Sequence, residues 1–449
     1  MQKGDLDGDG LEDLIIGATN LLPTKVFLRK GAGFIEADLE GLTTNKNFSE
    51  ADFAIIDIDQ DGDNDVLALA GGYENTLEKE YIHYLYTNNN GVFSRSRLPI
   101  PPFSASVIRP FDADHDGDLD LFIGARIKYN MFPFASDSWI LFNEKGSFIS
   151  EETQAIDLGM VTDATWSDYD GDGWKDLIIA REWNAPAFVK NINGMYFENK
   201  NLPEIEEMHG IWYSVTAADF DNDGDDDYLL GNLGENHRFN VSREHPMRIY
   251  ALDLDKNGTI DPIMTGFWRN KYDVMKEYPV NYFDELVGQA PFFASKYKDY
   301  TSFSTATMDD ILDDEMRSRI DHIFHIVTTS SHLLWNDKGS FRWERAADEL
   351  QVSPLTKSIV NDFNNDGLPD LLLAGNDHTH DISTGYYDAM KGLLLLSDGG
   401  KPLCRILPPS ESGIILHGMV ESLLLFEGEK SFVVAGMNRD SVLTYRVNK

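Results

Sequence analysis

The sequence predicts an all-β chain. It reads as a β-propeller of four-stranded antiparallel blades, seven of them with eight as the alternative, and with a small α-helical insertion at 280–318. Three observations predict this. A nine-residue acidic motif recurs seven times, and its first five copies start 52, 55, 56 and 51 residues apart. A short apolar run follows each copy. A second apolar hairpin signal then precedes the next copy.

Composition sets the outer limits. The chain has 449 residues, with 38 Lys+Arg against 76 Asp+Glu and a formal net charge of -38. Nucleic acid and anionic membranes need basic patches, so neither is expected as a partner. With 42% hydrophobic and 12% aromatic residues, the chain has enough apolar side chains to build cores. The single cysteine, Cys404, excludes an intrachain disulfide framework and a cysteine-based zinc site. No apolar run reaches the roughly 18 residues of a membrane span. No signal-peptide segment stands at the N-terminus.

The acidity is concentrated. Asp outnumbers Glu by 50 to 26, and 26 of the 50 Asp lie in the motif D-x-D-x-D-G-x-x-D or a variant with one Asn. Chance predicts on the order of 0.01 strict copies, whereas five are present. Four carboxylates in nine residues repel one another unless a cation sits among them. Positions 1, 3, 5 and 9 supply side-chain oxygens, and the Gly at 6 permits a sharp turn. Position 7 supplies a backbone carbonyl. Such an all-oxygen, flexible cage suits Ca²⁺.

The first three sets of ligands are Asp5, Asp7, Asp9, Leu11 and Asp13; Asp57, Asp59, Asp61, Asp63 and Asp65; and Asp112, Asp114, Asp116, Asp118 and Asp120. The fourth and fifth are Asp168, Asp170, Asp172, Trp174 and Asp176, and Asp219, Asp221, Asp223, Asp225 and Asp227. The variant copies give Asp253, Asp255, Asn257, Thr259 and Asp261, and Asp362, Asn364, Asp366, Leu368 and Asp370. About five to seven calcium ions are expected. An EF-hand needs Glu at position 12 and a following helix. Position 12 is apolar in all seven copies (Ile16, Ala68, Ile123, Ile179, Leu230, Met264, Leu373), so an EF-hand is rejected.

The runs Leu14-Ile15-Ile16 and Leu177-Ile178-Ile179 read as buried strands. With Ala54-Ile55-Ile56 and Ser214–Ala218 as strands before the motif, each cage becomes the loop of a hairpin between strands A and B. A second hairpin, C–D, turns at Gly91, Gly146 and Gly194. The first unit is expected to lack strand A, because only four residues precede Asp5. The Asp253 cage is placed in the C–D turn of unit five, since it starts 34 residues after Asp219. Unit six is expected to show only a hairpin at Leu333–Phe341. The last unit is read as three strands around the degenerate loop Glu427-Gly428-Glu429.

These residues resemble the FG-GAP/VCBS repeat of integrin α-chain propellers. Segments such as Gly159–Trp166 and Gly231–Asn236 are similar to bacterial VCBS-repeat proteins associated with the ASPIC/UnbV family. Ion supply points to an extracellular, cell-surface or periplasmic location, and the expected lack of a first strand in unit one reads as a sign that the chain is part of a longer polypeptide. Cages of this kind in extracellular modules bind Ca²⁺ in the 10⁻⁴–10⁻³ M range.

In a propeller the B–C loops share one face. The ligand-face candidates there and in neighbouring segments are Tyr129, Trp139, Trp183, Trp212, Tyr213, His237 and Tyr386, with Tyr73 and the cluster His378-Thr379-His380-Asp381 nearby. Such aromatics stack on sugar rings or form protein contacts; equally, they plug loops onto the sheets. No H-E-x-x-H, G-x-S-x-G or Walker loop is present. The first reading is a non-catalytic recognition or adhesion module for protein or glycan. The second is a calcium-dependent polysaccharide-degrading enzyme, and the third a structural segment of a larger surface protein.

Overall fold

The computed structural model describes residues 1–449 except 20, 32, 44–48, 73–76, 150–152, 380–384, 400–404, 429 and 448–449. Tyr73, His380, Asp381, Cys404 and Glu429 therefore lie outside the described residues. The chain is all-β, built mostly from four-stranded antiparallel sheets with a few short helices. No helix among the described residues is long and apolar enough to cross a membrane.

The first sheet runs Gln2–Gly4, Asp13–Ile16, Lys25–Lys30 and Gly33–Ala37. It therefore does have a strand before its acidic loop, contrary to the expectation from sequence. Three residues suffice, because Gln2 to Gly4 pair directly with Ile15 to Asp13. The second sheet repeats the pattern with Ser49–Ile56, Asp65–Gly71, Tyr84–Asn89 and Val92–Arg97. The third starts with Ala105–Phe111 and Asp120–Ala125, and the fourth with Met160–Ser167 and Asp176–Asn184. The sixth starts with Leu355–Asn361 and Asp370–Gly375. The last sheet has three strands, Val420–Phe426, Phe432–Met437 and Leu443–Arg446.

Sheet five corrects two expectations. Its strands are Ser214–Ala218, Asp227–Gly231, His332–Asp337 and Ser340–Arg345. The hairpin assigned to unit six thus completes unit five. Between its second and third strands, residues 232–331 form a separate sheet of Met275–Pro279, Ile263–Arg269, Met247–Leu252 and Ile320–Ile326. The Asp253 loop belongs to this inserted sheet and not to a C–D turn. Counting from Asp219 misleads here, because a 34-residue offset arises equally from an insertion. The segment 280–318 carries five short helices, from Phe283–Gln289 to Asp314–Arg317. They close over the inserted sheet with their own core of Leu254, Ile263, Leu286, Phe293, Met308 and Ile311.

Apolar period explains the layering. The second strands, such as Asp65–Gly71 and Asp370–Gly375, are buried along their whole length, as expected for strands covered on both faces. They pack sheet against sheet. One cluster joins Leu67, Leu69 and Leu85 of sheet two to Ile108, Leu121 and Ile123 of sheet three.

The first strands are neighbours in chain order from sheet one to sheet seven, and Val420–Phe426 also contacts Gln2–Gly4. There Ser422 Oγ donates to the Met1 carbonyl at 3.2 Å. All seven first strands line one polar cavity of about 680 Å³. β-bulges in two of these strands, at Glu50/Asp52 and Val161/Asp163, turn a carboxylate toward the next strand. Asp52 accepts from Ile108 N and Asp163 from Val215 N, each at 3.1 Å. Arg109 bridges both carboxylates, with Nη1 3.1 Å from Asp52 and Nη2 2.5 Å from Asp163. Replacing Arg109 with Leu leaves two part-buried carboxylates without their cation. Urea unfolding should report a loss of about 2 kcal/mol.

Candidate metal centres

Each acidic loop joins two strands, and its backbone is the same in all seven copies. The residue at position 4 takes φ between 59° and 72°, although it is Gly only at Gly8 and Gly171; elsewhere it is Gln60, His115, Asn222, Lys256 and Asn365. The Gly at position 6 takes φ between 83° and 104°. A side chain there would strain the turn. The position-1 Asp accepts from this Gly N–H at 2.7–3.0 Å in six loops. The residue at position 7 donates its N–H to the position-5 oxygen in all seven, at 2.7–3.3 Å.

The ninth position is the deepest. Asp13, Asp65, Asp120, Asp176, Asp227, Asp261 and Asp370 are all buried. Six of them start the strand after their loop, and Asp261 stands two residues before Ile263–Arg269. In six loops one oxygen accepts from the position-2 backbone N–H: Leu6, Ile58, Ala113, Phe220, Leu254 and Phe363, at 2.8–3.2 Å. In six, the other accepts from the third strand or its turn: Arg29, Asn88, Asn143, Asn191, Asn336 and Ser397, at 2.7–2.9 Å.

Burial pushes the carboxyls of Asp13, Asp65, Asp120, Asp176, Asp261 and Asp370 up, although the backbone donors oppose it. Asp65 rises to about 6, and Asp120 and Asp176 to about 7. The carboxylates at positions 3 and 5 add repulsion at Asp65 and Asp120 in the same direction. A bound cation reverses this logic.

The carboxylates converge. Oxygens of Asp5, Asp7 and Asp13 lie within 4.8 Å of one another, as do those of Asp112, Asp114 and Asp120 and of Asp168, Asp170 and Asp176. Asp57, Asp59 and Asp61 form a similar group, and Asp116 and Asp118 gather with Glu144. The donor set fits a hard divalent cation by one further observation. Asp112 Oδ1, Asp170 Oδ1 and Asp176 Oδ2 are buried with no hydrogen-bond partner, and such atoms are costly unless something else satisfies them. These clusters can hold metal ions. In loops one and four a lysine leans across the outer carboxylates. Lys30 Nζ lies 2.7 Å from Asp7 and 2.6 Å from Asp9, and Lys190 pairs with Asp170 and Asp172.

The sequence reading missed the residues that lock one loop to the next sheet. Asn143 donates Nδ2 to the Ile58 carbonyl at 2.8 Å, Asn191 to Ala113 at 2.9 Å and Asn336 to Tyr169 at 3.0 Å. Each asparagine belongs to the turn of one sheet, and each carbonyl is position 2 of the preceding sheet's loop. The turn glycine beside it comes just as close: a Cβ on Gly146 would stand 2.5 Å from Asp59 Cβ. The recurring Asn-x-x-Gly of these turns was the available signal.

The aromatic candidates do not form one face. Trp183 and Trp212, expected to meet a ligand, are buried instead. Trp212 stacks on Trp343 at 5.6 Å and donates Nε1 to the Met208 carbonyl. Tyr213 packs in the same cluster as Trp183. Trp139 lies half-buried against the core between sheets two and three, and Tyr129 packs near Tyr81. His237 is tied to Thr329 Oγ1 at 2.9 Å. Tyr386 is the exposed member, at 67%, and lies over His378.

The comparisons with known proteins agree with the loops. Residues 57–123 and 168–230 match the FG-GAP-like repeat. Each matched segment spans two acidic loops and the strands between them. No curated protein matches the sequence. Among solved structures, the V. cholerae biofilm matrix protein Bap1 is similar at 11% identity and a TM-score of 0.41, covering 99% of this chain and 86% of that chain. BBS1N, crystallised in complex with ARL6DN and soaked with lead, is similar at 8% identity and a TM-score of 0.33, covering 100% and 92%.

Two outcomes follow from this geometry. The raised ninth-position carboxyls hold protons in the folded state that the unfolded chain releases. In EDTA, stability should therefore fall as pH rises from about 4 to about 7, and excess Ca²⁺ should remove the slope; melting temperatures across that range check it. Asn143→Ala unpairs the buried Ile58 carbonyl. It should cost about 2 kcal/mol in denaturant unfolding, more than the same change at an exposed Asn.

Proposed function

We propose that the protein is a seven-bladed, calcium-binding β-propeller that works outside the cytoplasm as a non-catalytic recognition or adhesion module. One observation carries the reading: seven loops share one backbone geometry and a buried ninth-position Asp, and in loops one, three and four carboxylate oxygens gather around that Asp. The ring itself is supported by the succession of first strands and by the contact of Val420–Phe426 with Gln2–Gly4. In this reading the inserted sheet is an elaboration of one B–C loop, and the kinship with bacterial VCBS-repeat proteins extends the FG-GAP-like match. The partner is a protein or a glycan.

Calcium is the ion this donor chemistry favours. The oxygens are all hard, the loops are flexible, and side-chain and backbone ligands together exceed four. Weak cages of this kind fill where calcium is abundant, which places the protein outside the cytosol. Each ion also cancels two of the excess negative charges that the folded chain must hold together.

The test is direct. Chelation by EDTA should lower the melting temperature by about 10 °C or more, and re-addition of Ca²⁺ should restore it. Mass spectrometry under native conditions should count about five to seven calcium ions. An unchanged melting curve would overturn the reading.

A further inference from the structure

The inserted sheet and its helices frame a groove of about 810 Å³ whose surface differs from the rest of the molecule. Three of the four exposed tyrosines among the described residues line it: Tyr272 at 73%, Tyr300 at 59% and Tyr282 at 39% exposure. They come from three places, the turn after Ile263–Arg269, the entry of helix Phe283–Gln289 and helix Tyr300–Phe303. Trp268 lies between them, half-buried, with its ring over Gly266. A Cβ at Gly266 would stand 2.8 Å from that indole, so only glycine leaves it room.

The charge is as unusual. Arg238, Arg269, Lys271 and Lys276 line the groove, and among the described residues lining it there is no carboxylate. Yet the chain carries twice as many acids as bases. Arg269 is paired with Asp273 at 3.1 Å. Lys271 lies over the Tyr272 ring at 5.0 Å and Arg238 over Phe239 at 5.1 Å.

We propose that this groove binds an acidic oligosaccharide. Sugar rings stack on Tyr272, Tyr282 and Tyr300, and carboxylate or sulfate groups pair with Lys271, Lys276 and Arg238. The inference rests on the recognition reading and gives it a site and a ligand class. The volume suits a few sugar rings. A single-stranded nucleic acid would need a longer cationic track and would meet the repulsion of 76 acids.

Calorimetry on the calcium-loaded full chain tests this, with polygalacturonate oligomers, heparin oligomers, dextran and oligo-dT as probes. One or both acidic glycans should bind, and dextran and oligo-dT should not; the preferred one tells carboxylate from sulfate. The double variant Tyr272→Ala/Tyr282→Ala should bind about tenfold or more weakly. Lys271→Gln/Lys276→Gln should weaken binding and flatten its salt dependence. Absence of acidic-glycan binding, equal binding by both variants, or tighter binding of oligo-dT would overturn the proposal. None of Tyr272, Tyr282, Lys271 and Lys276 belongs to an acidic loop, so both variants should keep calcium-dependent melting. A failure of that melting in the parent chain counts against the calcium reading alone.

Discussion

The structure depends on one buried carboxylate repeated seven times. The ninth-position Asp of each acidic loop is removed from water at the point where a loop, a second strand and a third-strand turn meet. Backbone N–H groups offset part of that cost, as between Leu6 and Arg29 around Asp13. They do not offset the repulsion of the carboxylates beside it. A cation held in the cluster would satisfy what remains. The same residue thus couples strand pairing to the acidic cluster: in five loops its two oxygens hold both the loop and the third strand or its turn.

Neighbouring loops are not independent. Asn143, Asn191 and Asn336 reach back from one sheet to the position-2 carbonyl of the preceding loop. That residue's N–H is also what holds the ninth carboxylate in loops two and three, at Ile58 and Ala113. A change in one loop therefore reaches the next sheet's turn through two hydrogen bonds. On the inner side, Arg109 does the same for the first strands of sheets two, three and four. Sheets two, three and four are thus stapled to one another at both ends of their strands, so one of them cannot loosen alone.

The repeating part of this architecture was legible in the sequence because its physics is local. Nine residues carry a cage, and the apolar runs on either side carry the strands. What failed was arithmetic across an interruption. Asp253 has the motif and a plausible offset, yet it lies on a sheet interposed between Gly231 and His332. Local pattern does not report which strand pairs with which. The aromatics failed for a related reason. Trp183 and Trp212 are as hydrophobic as they are sticky, and only the surroundings decide that Trp212 stacks on Trp343 inside the core. Asn143 and its counterparts were readable in kind but not in partner, since the carbonyl that Asn143 serves is 85 residues away.

The insertion shows how a repeat gains a new surface without losing its frame. The strands of sheet five stay paired across it, with Leu229 opposite Leu333. Its neck is tied by Gly234 N to the Thr329 carbonyl at 2.7 Å and Asn232 N to Ser331 Oγ at 3.0 Å. Once the ends are held together, further loop length costs little entropy, and a segment with its own core repays what it does cost. One side of the inserted sheet still packs on sheet four, where Met247, Ile249 and Ile326 meet Met160 and Trp183. Three of the four exposed tyrosines among the described residues lie on the insertion, with Arg238, Lys271 and Lys276 beside them; on the repeats, Trp212, Tyr196 and Tyr228 are instead buried between sheets.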